Sequence, residues 1–205
     1  MRSRRVEYSE STRDALVVSA VELFTKRGYA ATSLDEVAKR ARVTKGALYH
    51  HFSGKQALFE AAFDAVETVT MTQLAEIVVR PGNVWDSVME GLRHYIKICQ
   101  DSSYQRIVIH EGPVVMGWER WREVEDRYSF GVVRAGVQAL IDGGEVDDLP
   151  VETTSRLLFG ALWAGATMIA QSAEPKKTAA EVFATIVKLL EGHRRTAADR
   201  ANSPD

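Results

Sequence analysis

The chain has 205 residues, of which 45% are hydrophobic and 26% charged, and a formal net charge of -2. That profile belongs to an ordinary globular protein large enough to bury a sizeable core. A lone cysteine, Cys99, excludes an internal disulfide framework and a Cys-rich metal site. No apolar run is long and uncharged enough to span a bilayer, and MRSRRVEYSES lacks the apolar stretch of a secretory signal. A cytoplasmic protein without membrane contact is therefore expected. The small net charge conceals an asymmetry. Residues 1–55 carry eleven Lys and Arg against six Asp and Glu, and the remainder fifteen against twenty-two. A basic end on an acidic body suits contact with a polyanion.

Helical periodicity runs through almost the whole chain, and strand-like alternation is scarce. Ser11 and Asp14 have capping-box spacing and predict the start of a first helix, with Leu16, Ala20, Leu23 and Phe24 on its apolar stripe. Gly28 should end it, because glycine accepts the left-handed backbone of a C-terminal cap. Ser33 and Glu36 predict a second helix start, followed by Val37, Ala38 and Ala41. After Arg42-Val43, Thr44 can cap a short helix to about His51. Ser53 and Gln56 predict another capping box, opening a long helix from about Gly54 to Val79 that Arg80-Pro81-Gly82-Asn83 stops. Further helices are expected near 84–101, 103–111, 118–142, 151–172 and 176–195, with 196–205 a polar tail expected to fray. The segment Glu111-Gly112-Pro113-Val114-Val115-Met116-Gly117-Trp118 should break the helical pattern. The expected fold is all-α: a three-helix unit, then a helical bundle, about nine helices in all.

Residues 32–55 carry the chemistry. Two short helices joined by a tight turn and packed on a preceding helix form a helix-turn-helix, with Val37, Ala38, Val43, Leu48 and Phe52 inside. The second helix opens Thr44-Lys45-Gly46-Ala47, short, polar and basic, and in such motifs the N-terminal part of this helix faces base edges. Lys45 can donate to a guanine edge or a phosphate. Gly46 costs roughly 1 kcal/mol against alanine in a helix, a cost that makes sense where backbone approaches DNA closely. A simple surface glycine is the alternative. Tyr49 and His50 can reach phosphate oxygens, and Ser53, Gly54 and Lys55 offer free N–H groups and a cation to another. His50 and His51, adjacent on a helix, point about 100° apart and do not suggest a metal. His51 is expected at the edge of the small core. Arg2, Arg4 and Arg5 either form a basic arm along a minor groove or are simply solvated.

Gly28-Tyr29, Thr32-Ser33, Val37-Ala38, Val43-Thr44-Lys45-Gly46, Leu48-Tyr49-His50-His51-Phe52 and Lys55 together resemble the DNA-binding signature of TetR-family transcriptional regulators. The resemblance covers about Ser11 to Phe63. It implies a homodimer with two N-terminal DNA-binding heads on a body that holds a small-molecule pocket and the dimer interface. It also implies a repressor released from a palindromic operator by its ligand. Carried over by position, Ser33, Thr44, Lys45, Gly46, Tyr49, His50 and Lys55 are the DNA-contact candidates. Asp35 and Glu36 are read as helix-start residues. The domain boundary is placed at 53/54, with 54–195 the ligand-binding and dimerisation domain.

In the body, Trp85, Met89, Tyr95, Cys99, Ile109, His110, Met116, Trp118, Trp121, Phe130 and Met168 form an aromatic and methionine-rich set suited to a mostly apolar ligand. Tyr95 and His110 are its polar candidates. Plain core is the competing reading for most of them. Gly160, Ala161, Ala164 and Gly165 lie at helical spacing beside Leu157, Leu158, Leu162 and Trp163. With Met168, Val182, Ile186 and Leu189 they are the expected two-fold interface. No cofactor or metal is expected. An enzyme is the weaker alternative, since no nucleophile elbow, phosphate loop or HExxH spacing is present. A helical small-molecule-binding protein without DNA-binding activity is the other.

Overall fold

The computed structural model describes residues 4–78 and 82–195, with side chains from Glu10 onward except those of 78, 125 and 126. Nine α-helices and one π-helical segment account for most of these residues. They are α1 (Arg4–Arg27), α2 (Leu34–Arg40), α3 (Lys45–His51), α4 (Lys55–Val78), α5 (Val84–Ile98), the π-helical Tyr104–Glu111, α6 (Gly112–Met116), α7 (Trp118–Asp142), α8 (Val151–Gln171) and α9 (Pro175–Glu191). Among the described residues the only β pairing is an isolated bridge between Val146 and Arg194.

Three local expectations are corrected. α1 begins at Arg4, not near Ser11. The Arg- and Glu-rich stretch ahead of Ser11 is itself a good helix former, so a Ser-x-x-Asp pair inside it starts nothing. At α4 the first helical bond runs from the Leu58 N–H to the Gly54 carbonyl, which makes Gly54 the cap position. Gln56 gives its amide to Glu60 at 3.3 Å, not back to Ser53. Third, the break expected within 111–118 occurs, but not at Pro113. The π-helical segment passes directly into α6, where proline sits in the first turn and its missing N–H is no loss. The stop comes at Gly117, with φ +79°. Arg80, Pro81, Arg2 and the tail 196–205 lie outside the described residues, as do the side chains of Arg4 and Arg5.

Packing divides the chain into two units that do not follow chain order. One comprises the described parts of Met1–Thr68 with Ser102–Arg122, the other those of Val69–Asp101 with Glu123–Asp205. In the first, the predicted stripe of Leu16, Ala20, Leu23 and Phe24 is buried together with Val37, Ala38, Leu48, Phe52, Leu58, Phe59 and Phe63. Phe59 meets Phe24 edge-on at 5.3 Å and Tyr29 at 5.3 Å. Ile107, Val108, Met116 and Trp121 are buried in the same unit. In the second unit α8 lies along α9, and Gly165 makes the approach possible. A Cβ there would sit 2.6 Å from Val182 Cγ1.

Candidate nucleic-acid interface

α2 and α3 form the helix-turn-helix. Ser33 opens α2 with a complete capping box: its hydroxyl accepts the Glu36 N–H at 3.2 Å, and the Ser33 N–H donates to Glu36 Oε2 at 2.9 Å. These bonds and the nearby Arg27 guanidinium hold the Glu36 carboxyl below the usual carboxylate range. The turn is tight because Arg42 adopts φ +58° and the Val43 N–H returns to the Ala38 carbonyl at 3.0 Å. Thr44 then caps α3, accepting the Ala47 N–H at 3.2 Å.

α3 buries Leu48 completely and turns Lys45, Gly46, Tyr49 and His50 outward, with Thr44 exposed at its start. The pairs 45/49 and 46/50 are one turn apart and share a face. A Cβ on Gly46 would meet nothing nearer than Thr44 Oγ1 at 3.9 Å, so nothing inside the chain demands glycine there. The Lys45 ammonium lies 2.8 Å from Asp35 Oδ1, and this hydrogen-bonded carboxylate raises the lysine's pKa above its ordinary value. Both partners are exposed, so water screens the pair and it can be exchanged for another anion. Further ion pairs, Arg27 with Glu36 and Arg40 with Glu22, neutralise other cations of this unit.

The remaining candidates are more committed. Ser33 is exposed, but its hydroxyl serves the capping box. Lys55 is half-buried: its ammonium donates to the Ala30 carbonyl at 3.2 Å and lies 4.4 Å from the centre of the Tyr29 ring. His51 packs at the core's edge, its ring 5.3 Å from that of His50, and burial pushes its pKa down. Two residues beside this face were read only as a helix-start and a connecting residue. Asp35 is the partner of Lys45. Arg42 is exposed and stands in a backbone conformation that favours glycine. A non-glycine turn residue leaves little trace in the periodicity used to read helices. Among the described residues no group of three His, Cys, Asp or Glu side chains could hold a metal.

In the second unit, α4, α5, α7, α8 and α9 enclose a cavity of about 100 Å³. Its walls are Met71, Leu74, Val88, Leu92, Val133, Val137, Leu158, Phe159, Leu162 and Ile186 among others, with Tyr95 and Ser129 as the hydroxyl-bearing members. Among the described residues no charged side chain lines it. Of the aromatic and methionine set, only Tyr95 is part of this wall. Trp85 and Met89 instead pack with Leu140 and Val146 as core, under the Arg194 guanidinium at 4.3 Å. Cys99 and Phe130 are buried elsewhere in that unit, while Met116 and Trp121 are core of the first unit. His110 and Trp118 are exposed. Composition alone could not separate wall from core, because both are apolar.

The expected interface set divides in the same way. Gly165, Val182 and Ile186 are already buried within one chain. Leu157 (72% exposed), Met168 (58%) and Leu189 (62%) face outward, with Gly160 and Ala164 exposed between the first two.

Comparison with known proteins accords with this geometry. The family model for bacterial regulatory proteins of the tetR family matches residues 16–62, and that for the tetracyclin repressor-like C-terminal domain matches residues 85–193. The chain is 32% identical over 166 residues to the transposon Tn10 TetC protein of Escherichia coli, covering 78% of this chain and 80% of that protein. A TetR-family transcriptional regulator of Pectobacterium atrosepticum superposes with a TM-score of 0.80 at 27% identity, over 95% of this chain and 99% of its own. RolR, solved in complex with resorcinol, shares the fold with a TM-score of 0.68 at 21% identity, over 97% of each chain. The chain belongs to the TetR family of transcriptional regulators. No helix among the described residues is long and apolar enough to cross a membrane.

Proposed function

We propose that this regulator is a homodimeric, non-enzymatic repressor that binds a palindromic operator through α3 and leaves it when a small apolar ligand occupies the cavity of the second unit. The observation that carries this reading is the outward face of α3: Lys45, Gly46, Tyr49 and His50 on a helix anchored by fully buried Leu48. Lys45 would exchange Asp35 for a base edge or phosphate. Thr44, Tyr49 and His50 would reach phosphates, Gly46 would admit the backbone, and Ser33, Arg42 and Lys55 would flank them. The functional boundary at 53/54 belongs to this proposal.

Two such helices must lie roughly 34–36 Å apart to enter successive major grooves, which requires a second copy. The exposed row Leu157, Gly160, Ala164 and Met168 on α8, with Leu189 on α9, supports a self-complementary two-fold contact there. The apolar lining of the cavity supports an uncharged ligand no larger than a single ring, since a dry apolar cavity of ~150 Å³ holds benzene and this one is about 100 Å³. α4 supports the coupling: its first part carries Lys55, Phe59 and Phe63 of one unit, and its last part places Met71 and Leu74 in the cavity wall. A ligand that prefers another placement of α4 shifts the population away from the DNA-binding form.

DNA selection with the purified full chain, followed by titration of the selected duplex with resorcinol and with phenol, tests the reading. A preferred palindrome whose affinity falls when the cavity is filled is expected. No sequence preference, or unchanged affinity with a bound probe, would overturn it.

A further inference from the structure

The π-helical segment ends on a carboxylate with an unusual target. Glu111 accepts the backbone N–H of Tyr29 on both oxygens, each at 2.9 Å, across 82 residues of sequence. Tyr29 directly follows Gly28, whose φ of +81° ends α1. The approach is so close that a Cβ on Gly28 would sit 2.7 Å from Glu111 Oε1. The same turn is tied on its other side, where the Thr32 hydroxyl donates to the Gly28 carbonyl at 2.8 Å. The Tyr29 ring packs against Phe24 and Phe59 beneath Lys55. One residue beyond Glu111, Gly112 is pressed onto α4: a Cβ there would lie 2.8 Å from the Phe63 ring.

These contacts make one joint of three elements: the end of α1, the start of α4 and the π-helical segment. α2 and α3 are carried on α1. The register of the joint depends on the π-helix, since i→i+5 bonding turns each residue through a smaller angle than α-helical bonding. A return to α register would carry Glu111 around the axis and away from Tyr29. π-helical insertions are frequent at functional sites.

We propose that Glu111 is a positioning residue for operator recognition, fixing the α1–α2 turn, and with it α3, in the placement that operator DNA requires. The inference rests on the reading of α3 as the DNA-contacting helix. It adds a residue far from that helix in sequence and outside the set of DNA-contact candidates. Preorganisation is the physical reason: an unclamped turn must be ordered each time DNA is bound, and the specific complex bears that cost most heavily. Non-operator binding, set by phosphate charge, should be nearly indifferent to it.

The test uses Glu111→Ala and Glu111→Gln in the full chain, measuring affinity for the selected operator and for a scrambled duplex, thermal unfolding, and amide exchange at Tyr29. Glu111→Ala should lose about tenfold in operator affinity. Its melting should stay cooperative, its affinity for scrambled duplex unchanged, and its Tyr29 amide faster to exchange. Glu111→Gln keeps a neutral acceptor for the Tyr29 N–H and should recover most of the operator affinity. Operator binding of Glu111→Ala like that of the wild type would overturn the proposal. So would equal losses on both duplexes, or non-cooperative melting that Glu111→Gln does not restore. Failure of the wild type to prefer any operator would instead indict the reading of α3, which separates the two claims.

Discussion

At Gly46 folding and binding make opposite demands. A glycine inside a helix costs up to roughly 1 kcal/mol, and the space around Gly46, in the first turn of α3, is open. Gly46→Ala should therefore raise the midpoint of urea unfolding while weakening operator affinity several-fold. A variant that is more stable and binds equally well would mark Gly46 as a plain surface glycine. His51 makes a pH prediction. Burial, then the neighbouring His50 and Arg13, push its pKa below the ordinary value near 6.5. The unfolded chain thus takes up a proton first, so the stability from neutral His51 is full above that value and is lost as pH falls below it. Between about pH 7 and pH 5 the wild type should lose more stability than His51→Gln. Parallel losses in urea titrations of the two proteins would refute the assignment. The outward residues of α3 were legible because helix capping and an i, i+4 surface row leave short-range marks. The Asp35–Lys45 pair and the φ of Arg42 were not, because each depends on how the turn folds in three dimensions.

At the level of elements, most helices were placed correctly because proline, glycine and capping residues punctuate them. The start misplaced at Ser11 came from a Ser-x-x-Asp pair, which acts as a cap only if the preceding backbone leaves the helix. At Ser53 the backbone does leave it, and the start near Gly54 is found, without the capping-box bond from Gln56. The π-helical stretch was read as an ordinary helix because 3.6- and 4.4-residue periods are indistinguishable over eight residues. Packing between helices is equally silent in sequence, as α8 and α9 illustrate. Gly165 looked like an interface residue, yet it is the slot for Val182. Gly165→Ala should cost about 1–3 kcal/mol by overpacking. Combining it with Val182→Ala should cost less than the sum of the two single changes. Additive losses in a double-mutant cycle by denaturant unfolding would show that the two side chains do not compete for one space.

For the whole molecule, the chain-order boundary at 53/54 belongs to the proposed function, whereas packing draws 102–122 into the unit that carries α3. That return could not be read from a linear pattern, since it depends on contacts such as Glu111 with Tyr29 that span 82 residues of sequence. Assembly is likewise a property of the whole. Leu157 and Met168 are large apolar side chains left exposed on one helix, a combination that marks an association surface. Charging both, as Leu157→Glu with Met168→Glu, should turn a dimer into a monomer in sedimentation equilibrium while leaving helix content intact. A dimer that survives both changes would place the interface elsewhere.

The central claim is that α3 lies in a groove of duplex DNA. Its most direct test is the affinity of the full chain for its selected palindrome across a range of salt concentrations, wild type against Lys45→Ala. The account predicts affinity that falls steeply and log-linearly with salt, sequence preference over a scrambled duplex, and for Lys45→Ala weaker binding with a slope shallower by about one. Binding that ignores salt and sequence, or that Lys45→Ala leaves unchanged in both strength and slope, would contradict it.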